Sequence, residues 1–274
     1  MATAKDIRVE PISAQDARAV VRRIHYSGKV DPRSQLNLGV FLNGRLEGAM
    51  QFGPSIDKRK IQPLVQDTAW NGFIELNRMA FSDALPRNSE SRAMSIAFRM
   101  MRKQYPHIEW VVSFADGAQC GDGAIYRAAG FALTNIKKNT SMYRLSDGST
   151  ICKLVLEPGF SPNSGPNSIK ARLGKSGSET SGAFLKRVGA EAIPGFQLRY
   201  IYFLNPAARD RLTVPVLPFS RIDEMGAGMY KGKARVKQAT EGDQPEGGGA
   251  APTHALQTST IETTDESATE ARRA

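Results

Sequence analysis

The sequence predicts an α/β fold, a mixed sheet flanked by helices, followed by an acidic C-terminal extension. Three observations carry this. Strand-like and helix-like segments follow one another as β-α-β-β-β-α-β-α-β-β up to residue 145. Asn43-Gly44, the strongest short hairpin signal, joins two of the early strands. Strands and helices then alternate, as they do where helices cover a sheet.

Each element has its own signal. Ile7–Ile12 reads as a short strand. Ser13-Ala-Gln-Asp16 resembles a capping box with Asp in place of Glu. Ala17, Val20, Val21 and Ile24 recur at helical spacing, and Gly28 is a natural stop after His25-Tyr26-Ser27. Leu36–Leu42 and Leu46–Phe52 form the hairpin, and Phe73–Phe81 is a further strand. A helix from Ser89 to Gln104 presents Ala93, Ile96, Ala97, Met100 and Met101, and Pro106 closes it. Trp110–Phe114 reads as a buried strand leading to Asp116, Ala115–Gly123 as a turn, and Ala124–Ala129 as a short helix ending at Gly130. Strands are expected at Ala132–Ile136, Met142–Leu145 and Leu198–Leu204, the last ending at Asn205-Pro206.

Between the last two strands, residues 158–182 are rich in Gly, Ser, Pro and Asn and read as a long loop, with a short helix at Ala183–Val188. The expected organisation is one catalytic domain over 1–236, containing a loop-rich insertion at about 158–197, and a disordered tail over 237–274.

Charge is unevenly distributed. The tail holds 3 basic and 7 acidic residues, so the body carries an excess of +14 within a chain of net charge +10. Such a body suits a polyanion, and nucleic acid is the usual one. Lys58-Arg59-Lys60 and Lys137-Lys138 are the local clusters expected to contact a DNA backbone, or else to be solvated faces. Cys120 and Cys152 match no zinc spacing and are expected as reduced thiols. Three histidines exclude a multi-histidine metal site, though not one built on one histidine and carboxylates. No apolar run approaches the roughly 18 residues of a membrane span, and Met1 to Glu10 has no secretory pattern. The expectation is a cytoplasmic protein with no membrane partner.

Chemistry concentrates in three places. A strand delivers Asp116 at its C-terminal end, where open α/β sheets bind ligands. Ala124-Ile-Tyr126 through Gly130-Phe131 then resembles the fourth helix of the GNAT acyltransferase superfamily, in which the tyrosine commonly sits beside the thioester sulfur. A phenol can protonate a departing thiolate; the competing reading is a surface tyrosine. The segment from Asn77 to Ala97 has the strand–turn–helix order of an acyltransferase phosphate cradle, with Ser91 and Arg92 near the helix start. The glycines of such a cradle are absent, and an ordinary capped helix start is the alternative. His25-Tyr26 at a helix end suits acid–base chemistry or a structural role.

Taken together, His25-Tyr26-Ser27, Glu75-Leu76-Asn77-Arg78, Ser89-Glu90-Ser91, Asp116, Tyr126 and Arg199-Tyr200-Ile201-Tyr202-Phe203 resemble the Mom family of phage DNA-modification proteins. The resemblance covers roughly residues 20–205 and excludes the 150–198 insertion and the tail. It implies a GNAT-like acyltransferase fold and conversion of adenine in DNA to N6-carbamoylmethyladenine, which shields phage DNA from restriction. It implies catalytic roles for His25, Tyr26, Asp116 and Tyr126, and cofactor contacts from Arg78, Ser91 and Arg92. It further implies acetyl-CoA or a related CoA thioester, an iron option with His25, Asp116 and a tyrosine as ligands, and double-stranded DNA with a flipped adenine as partner. A homodimer is left open. Acyl transfer alone would leave an amide on N6, so the family product needs a further step. The competing functions are a conventional N-acetyltransferase acting on a small amine or protein, and a non-enzymatic basic DNA-binding protein.

Overall fold

Twelve of the strand and helix signals become elements close to their expected bounds in the computed structural model, which describes residues 2–118, 120–157, 168–230 and 233–234. Strand β1 (Arg8–Pro11) leads into α1 (Ala14–Ile24), where the Ser13 hydroxyl accepts the Asp16 amide at 3.0 Å. Strands β2 (Leu36–Leu42) and β3 (Arg45–Gly53) form the hairpin. Its turn has positive φ at both Asn43 (50°) and Gly44 (78°), the backbone sign a twist-matched two-residue turn needs. Helix α2 (Lys58–Ile61), strand β4 (Phe73–Phe81), helix α3 (Ser89–Gln104), strand β5 (Trp110–Asp116), helix α4 (Ala124–Ala128) and strand β6 (Ala132–Lys138) follow.

The chain then leaves the main sheet. Strands β7 (Met142–Arg144) and β8 (Thr150–Cys152), helices α5 (Ile169–Arg172) and α6 (Ser181–Arg187), and strand β9 (Glu191–Ala192) precede the return in β10 (Phe196–Phe203). Helix α7 (Ser220–Glu224) and the short β11 (Met229–Tyr230) and β12 (Lys233–Ala234) complete the elements.

The main sheet has seven strands in the order β1-β2-β3-β4-β5-β10-β6. All neighbours are antiparallel except β4 and β5. Helix α3 packs Ala93, Met94, Ala97, Phe98 and Met101 into the principal core with Leu38, Met50, Leu76 and Val111. Its buried stripe differs from the expected one: Met94 and Phe98 are buried, while Ile96 and Met100 only lean on the core. Phe98 has a partner that helical periodicity does not reveal, the Tyr202 ring at 4.2 Å. Helix α1 covers β3 and β4 through Ala17, Val20, Val21, Ala49 and Ala80. A further cluster joins Phe73, Trp110, Val112 and Ile201, with the Phe73 and Trp110 rings stacked at 4.4 Å.

The long loop read over 158–182 is corrected in part by the structure: its residues 158–167 lie outside the described ones, but Ile169–Arg172 form α5. The short helix expected at Ala183–Val188 is present as α6, and β9 follows it. Strands β8, β7 and β9 form a second sheet in that order, over a small core of Leu145, Ile151, Leu156, Phe184 and Leu185. Gly, Ser and Pro density misled because the apolar residues lie at its edges, where side-chain-capped starts at Ser168 and Thr180 set the helices. The expected disordered tail, 237–274, lies outside the described residues; the described residues belong to one compact unit, Met1–Val236.

Phe184 is fully buried in this second core. Phe184→Ala should cost about 3–5 kcal/mol locally. Hydrogen exchange should show lost protection in 142–156 and 181–192, with the seven-stranded sheet still protected.

Candidate active site

Strands β4 and β5 pair only over Phe73–Glu75 and Trp110–Val112. Both run on, to Phe81 and Asp116, without pairing to each other, β4 bonded to β3 and β5 to β10. Two parallel strands that part leave backbone groups and a wedge of space between them. A cleft of about 610 Å³ opens there. Glu75, Asn77 and Arg78 line it from β4, Asp116 from the end of β5, Tyr126 from α4, and His25 and Tyr26 from the end of α1. Five of the residues singled out in the sequence are thus brought to one cavity from four separate elements.

The turn after β5 is built to hold Asp116. The Ala118 amide donates to its carboxylate at 3.0 Å, and the Cys120 amide to its carbonyl at 2.7 Å. Gly123 then takes φ +82°. A Cβ there would stand 2.4 Å from the Tyr200 ring, so both conformation and space require glycine. The Tyr200 hydroxyl donates to the Asp122 carbonyl at 2.5 Å, and Arg127 clasps Asp122 through its carbonyl (3.1 Å) and carboxylate (3.3 Å). This latch fixes the start of α4 and hence Tyr126, whose ring lies 5.3 Å from those of Tyr200 and Phe131. Burial pushes the Tyr126 phenol up to about 12, with Ser113 opposing the shift. It remains a proton donor at neutral pH.

His25 ends α1. Its Nδ1 accepts the Ser27 amide at 3.2 Å and meets the Ser27 hydroxyl at 2.8 Å. That places the remaining proton on Nε2. Burial first, and Arg78 second, lower its pKa to about 4, so the ring is neutral. The Tyr26 ring lies 4.3 Å from it at the cleft mouth, 52% exposed. Partial desolvation and the nearby Asp116 hold the Tyr26 phenol protonated. Arg78 is anchored by the Lys29 carbonyl at 2.8 Å and the Asn77 carbonyl at 2.6 Å.

The iron option does not fit this donor set. Among the described residues no three His, Cys, Asp or Glu side chains are grouped to hold a metal. The Nδ1 of His25 already accepts the Ser27 amide, which leaves one imidazole nitrogen and the Asp116 carboxylate as the strong donors, too few for an iron centre.

Ser91 lies apart from the cleft, in an adjoining hollow of about 410 Å³ at the N-terminus of α3, with Arg87, Asn88 and Glu90. Asn88 adopts the left-handed conformation at φ 69° and caps no amide with its side chain. It takes a backbone position that glycine usually fills, which the missing glycines left unexplained. Ser91 donates to the Asn88 carbonyl at 3.2 Å. Helix amides, Arg87 and Ser91 suit a phosphate-bearing group; Glu90 opposes it, and the exposed Arg92 lines neither hollow. Ala124 and Ile125 border both cavities.

The basic clusters lie outside the cleft lining. Lys58 sits over the Trp70 ring at 4.6 Å and donates to Asn71 at 3.1 Å, and Lys60 pairs with Asp57 at 2.7 Å. The neighbours Asp57 and Ile61 do line the cleft, so α2 flanks its mouth. Lys137 and Lys138 are exposed on the edge strand β6.

The sequence places Glu75 and Asn77 in the family motif without giving them a role, and it does not single out Ser55. Asn77 is the extra residue of a bulge, since Leu76 faces Phe52 while Arg78 faces Gln51. Bulges re-aim side chains beside active sites. Burial raises the Glu75 pKa, against the Ser55 and Asn77 hydrogen bonds. Alternation along β4 alone signals a polar Glu75 and Asn77 on one side, but nothing in it signals a cavity.

Two outcomes follow. His25 has a folded pKa of about 4 against an ordinary 6.5, so its neutral form contributes stability above about 6.5 that is lost as pH falls toward 4. Relative to His25→Gln, the wild-type melting temperature should fall more steeply across that window. Gly123→Ala should destabilise by about 1–3 kcal/mol through strain and overpacking, measured by denaturant unfolding.

Comparison with known proteins follows the same lines. The chain is 38% identical over 211 residues to the methylcarbamoylase mom of Escherichia phage Mu, covering 76% of this chain and 80% of that one. Solved structures with similar folds include the ribosomal-protein-S18-alanine N-acetyltransferase from Escherichia coli (12% identity, 73% and 94% of the two chains, TM-score 0.38). Another is the IAA acetyltransferase from Bacillus cereus (8% identity, 72% and 99%, TM-score 0.36). The Mom protein family model matches residues 6–221, and the chain belongs to that family.

Proposed function

We propose that this chain modifies adenine in DNA, attaching a carbamoylmethyl group to N6 within the cleft between β4 and β5. The observation that carries the reading is the convergence of His25, Tyr26, Arg78, Asp116 and Tyr126 on one cavity in a chain of the Mom family.

Adenine N6 is a weak nucleophile because its lone pair is delocalised into the ring. Asp116, held by the turn that follows it, accepts the N6 proton as the new carbon–nitrogen bond forms. Tyr126, protonated at neutral pH, donates to the departing group. Neutral His25 offers its Nε2–H, and Arg78 its remaining N–H groups, to oxygen atoms of the transferred group. Tyr26 at the mouth closes over the base. The hollow at the start of α3 holds donor phosphates through helix amides, Arg87 and Ser91. A CoA thioester bound there would supply an activated carbonyl; its transfer breaks the carbon–sulfur bond, releases the thiol and leaves an amide on N6, so the carbamoylmethyl product takes a further step with a nitrogen donor. N6 in a duplex is committed to pairing, so the adenine must leave the stack. The +14 body, with Lys58–Lys60 at the mouth and Lys137-Lys138 on the sheet edge, supplies phosphate contacts.

The test is mass spectrometry of nucleosides from DNA of cells expressing the protein. A deoxyadenosine heavier by one carbamoylmethyl group is expected. Asp116→Asn and Tyr126→Phe should lower its yield by roughly 10²–10⁴-fold while DNA binding survives. Unmodified deoxyadenosine, with acetyl transfer to amines in vitro, would overturn the reading.

A further inference from the structure

We propose that Ile56 is a wedge that enters the base stack and holds it open while the target adenine occupies the cleft. The inference rests on the DNA-adenine reading above and adds a positioning residue to it.

Ile56 is 53% exposed, the most exposed of the large apolar side chains described, and it lines the cleft mouth. Pro54 and Ser55 before it are at least partly covered, with Ser55 5% exposed, while Asp57 after it is exposed, so Ile56 stands where the chain leaves the sheet for the surface. An aliphatic tip makes no hydrogen bond and contributes nothing to solubility. Aliphatic wedges are what proteins insert between base steps when they unstack DNA.

Its mounting is firm. Ile56 sits between the end of β3 and α2, and α2 is held to the fold by Lys58, which lies over the Trp70 ring and donates to Asn71. The Asp57–Lys60 pair at 2.7 Å closes the turn of α2 itself. A side chain that must push into a stack needs such a rigid base. Lys58-Arg59-Lys60 follows it after Asp57, so a strand whose phosphates lie along α2 brings its bases to Ile56. Tyr26 and Leu154, also exposed on this rim, lack an adjoining run of three cations. Tyr26 packs against the His25 ring at 4.3 Å.

A wedge and a pocket residue respond differently to DNA that is already open. The test compares wild type, Ile56→Ala and Ile56→Leu on duplexes carrying 2-aminopurine in place of an adenine that the wild type modifies in cells. The fluorescent base faces either thymine or an abasic site. With thymine opposite, wild type and Ile56→Leu should raise the fluorescence several-fold and Ile56→Ala should not. With the abasic site opposite, all three should raise it alike. In cells, Ile56→Ala should lower the modified fraction of plasmid adenine by about 10- to 100-fold, given the cost of extruding a paired base, and Ile56→Leu should restore it. Equal fluorescence from Ile56→Ala and wild type on the paired duplex would overturn the wedge. Equal loss on both duplexes would overturn it too, assigning Ile56 to the cleft or the fold. Absence of modified adenine with the wild type would instead sink the underlying reading of function.

Discussion

The site depends on one constraint: β4 and β5 are parallel neighbours that hydrogen-bond for three residue pairs and then separate. Every other strand pair of the main sheet is antiparallel. Beyond Glu75 and Val112 the sheet can close only through side chains. The Ser113 hydroxyl reaches back to the Leu76 carbonyl at 3.3 Å, and the Asn77 bulge bends β4 away. The remaining gap is the cleft.

What surrounds the gap keeps it open. Strand β10 lies along the whole of β5, from Gln197 against Asp116 to Phe203 against Trp110, so β5 is firmly held on its other side. Tyr200 of that strand then reaches under the turn to the Asp122 carbonyl. The same strand that stiffens the sheet thereby places α4 and Tyr126. Arg199 belongs to this scaffolding as well, bonded to the Thr134 hydroxyl and carbonyl, and not to the chemistry. Electrostatics follow from enclosure: a neutral His25, two protonated phenols and a raised Glu75 all trace first to burial.

Much of the fold was legible because its signals are local. Ser13 capping α1, Asn43-Gly44 turning the hairpin and the sixteen-residue α3 each rest on residues within a few positions of one another. The second sheet was not legible. Its strands are two or three residues long, and its core joins Leu145 and Ile151 to Phe184 across an interval poor in apolar residues. Among the site residues, Asp116 and Tyr126 had local signals, a strand end and a short helix. Glu75 and Asn77 stood in a motif without a role and Ser55 had no signal, because their importance lies in a cavity and a bulge.

The sequence by itself determined the element order, the mixed α/β class, the basic body and the family, since these depend on residue types at short spacing. Only the tertiary structure decided where β4 and β5 part. It alone set His25 beside Arg78 and joined Asp116 to Tyr126 in one cleft while leaving Ser91 in the next. The physical reason is that parting is a property of pairing between strands more than thirty residues apart. Hydrogen bonds not made, and the space left by them, have no residue type of their own.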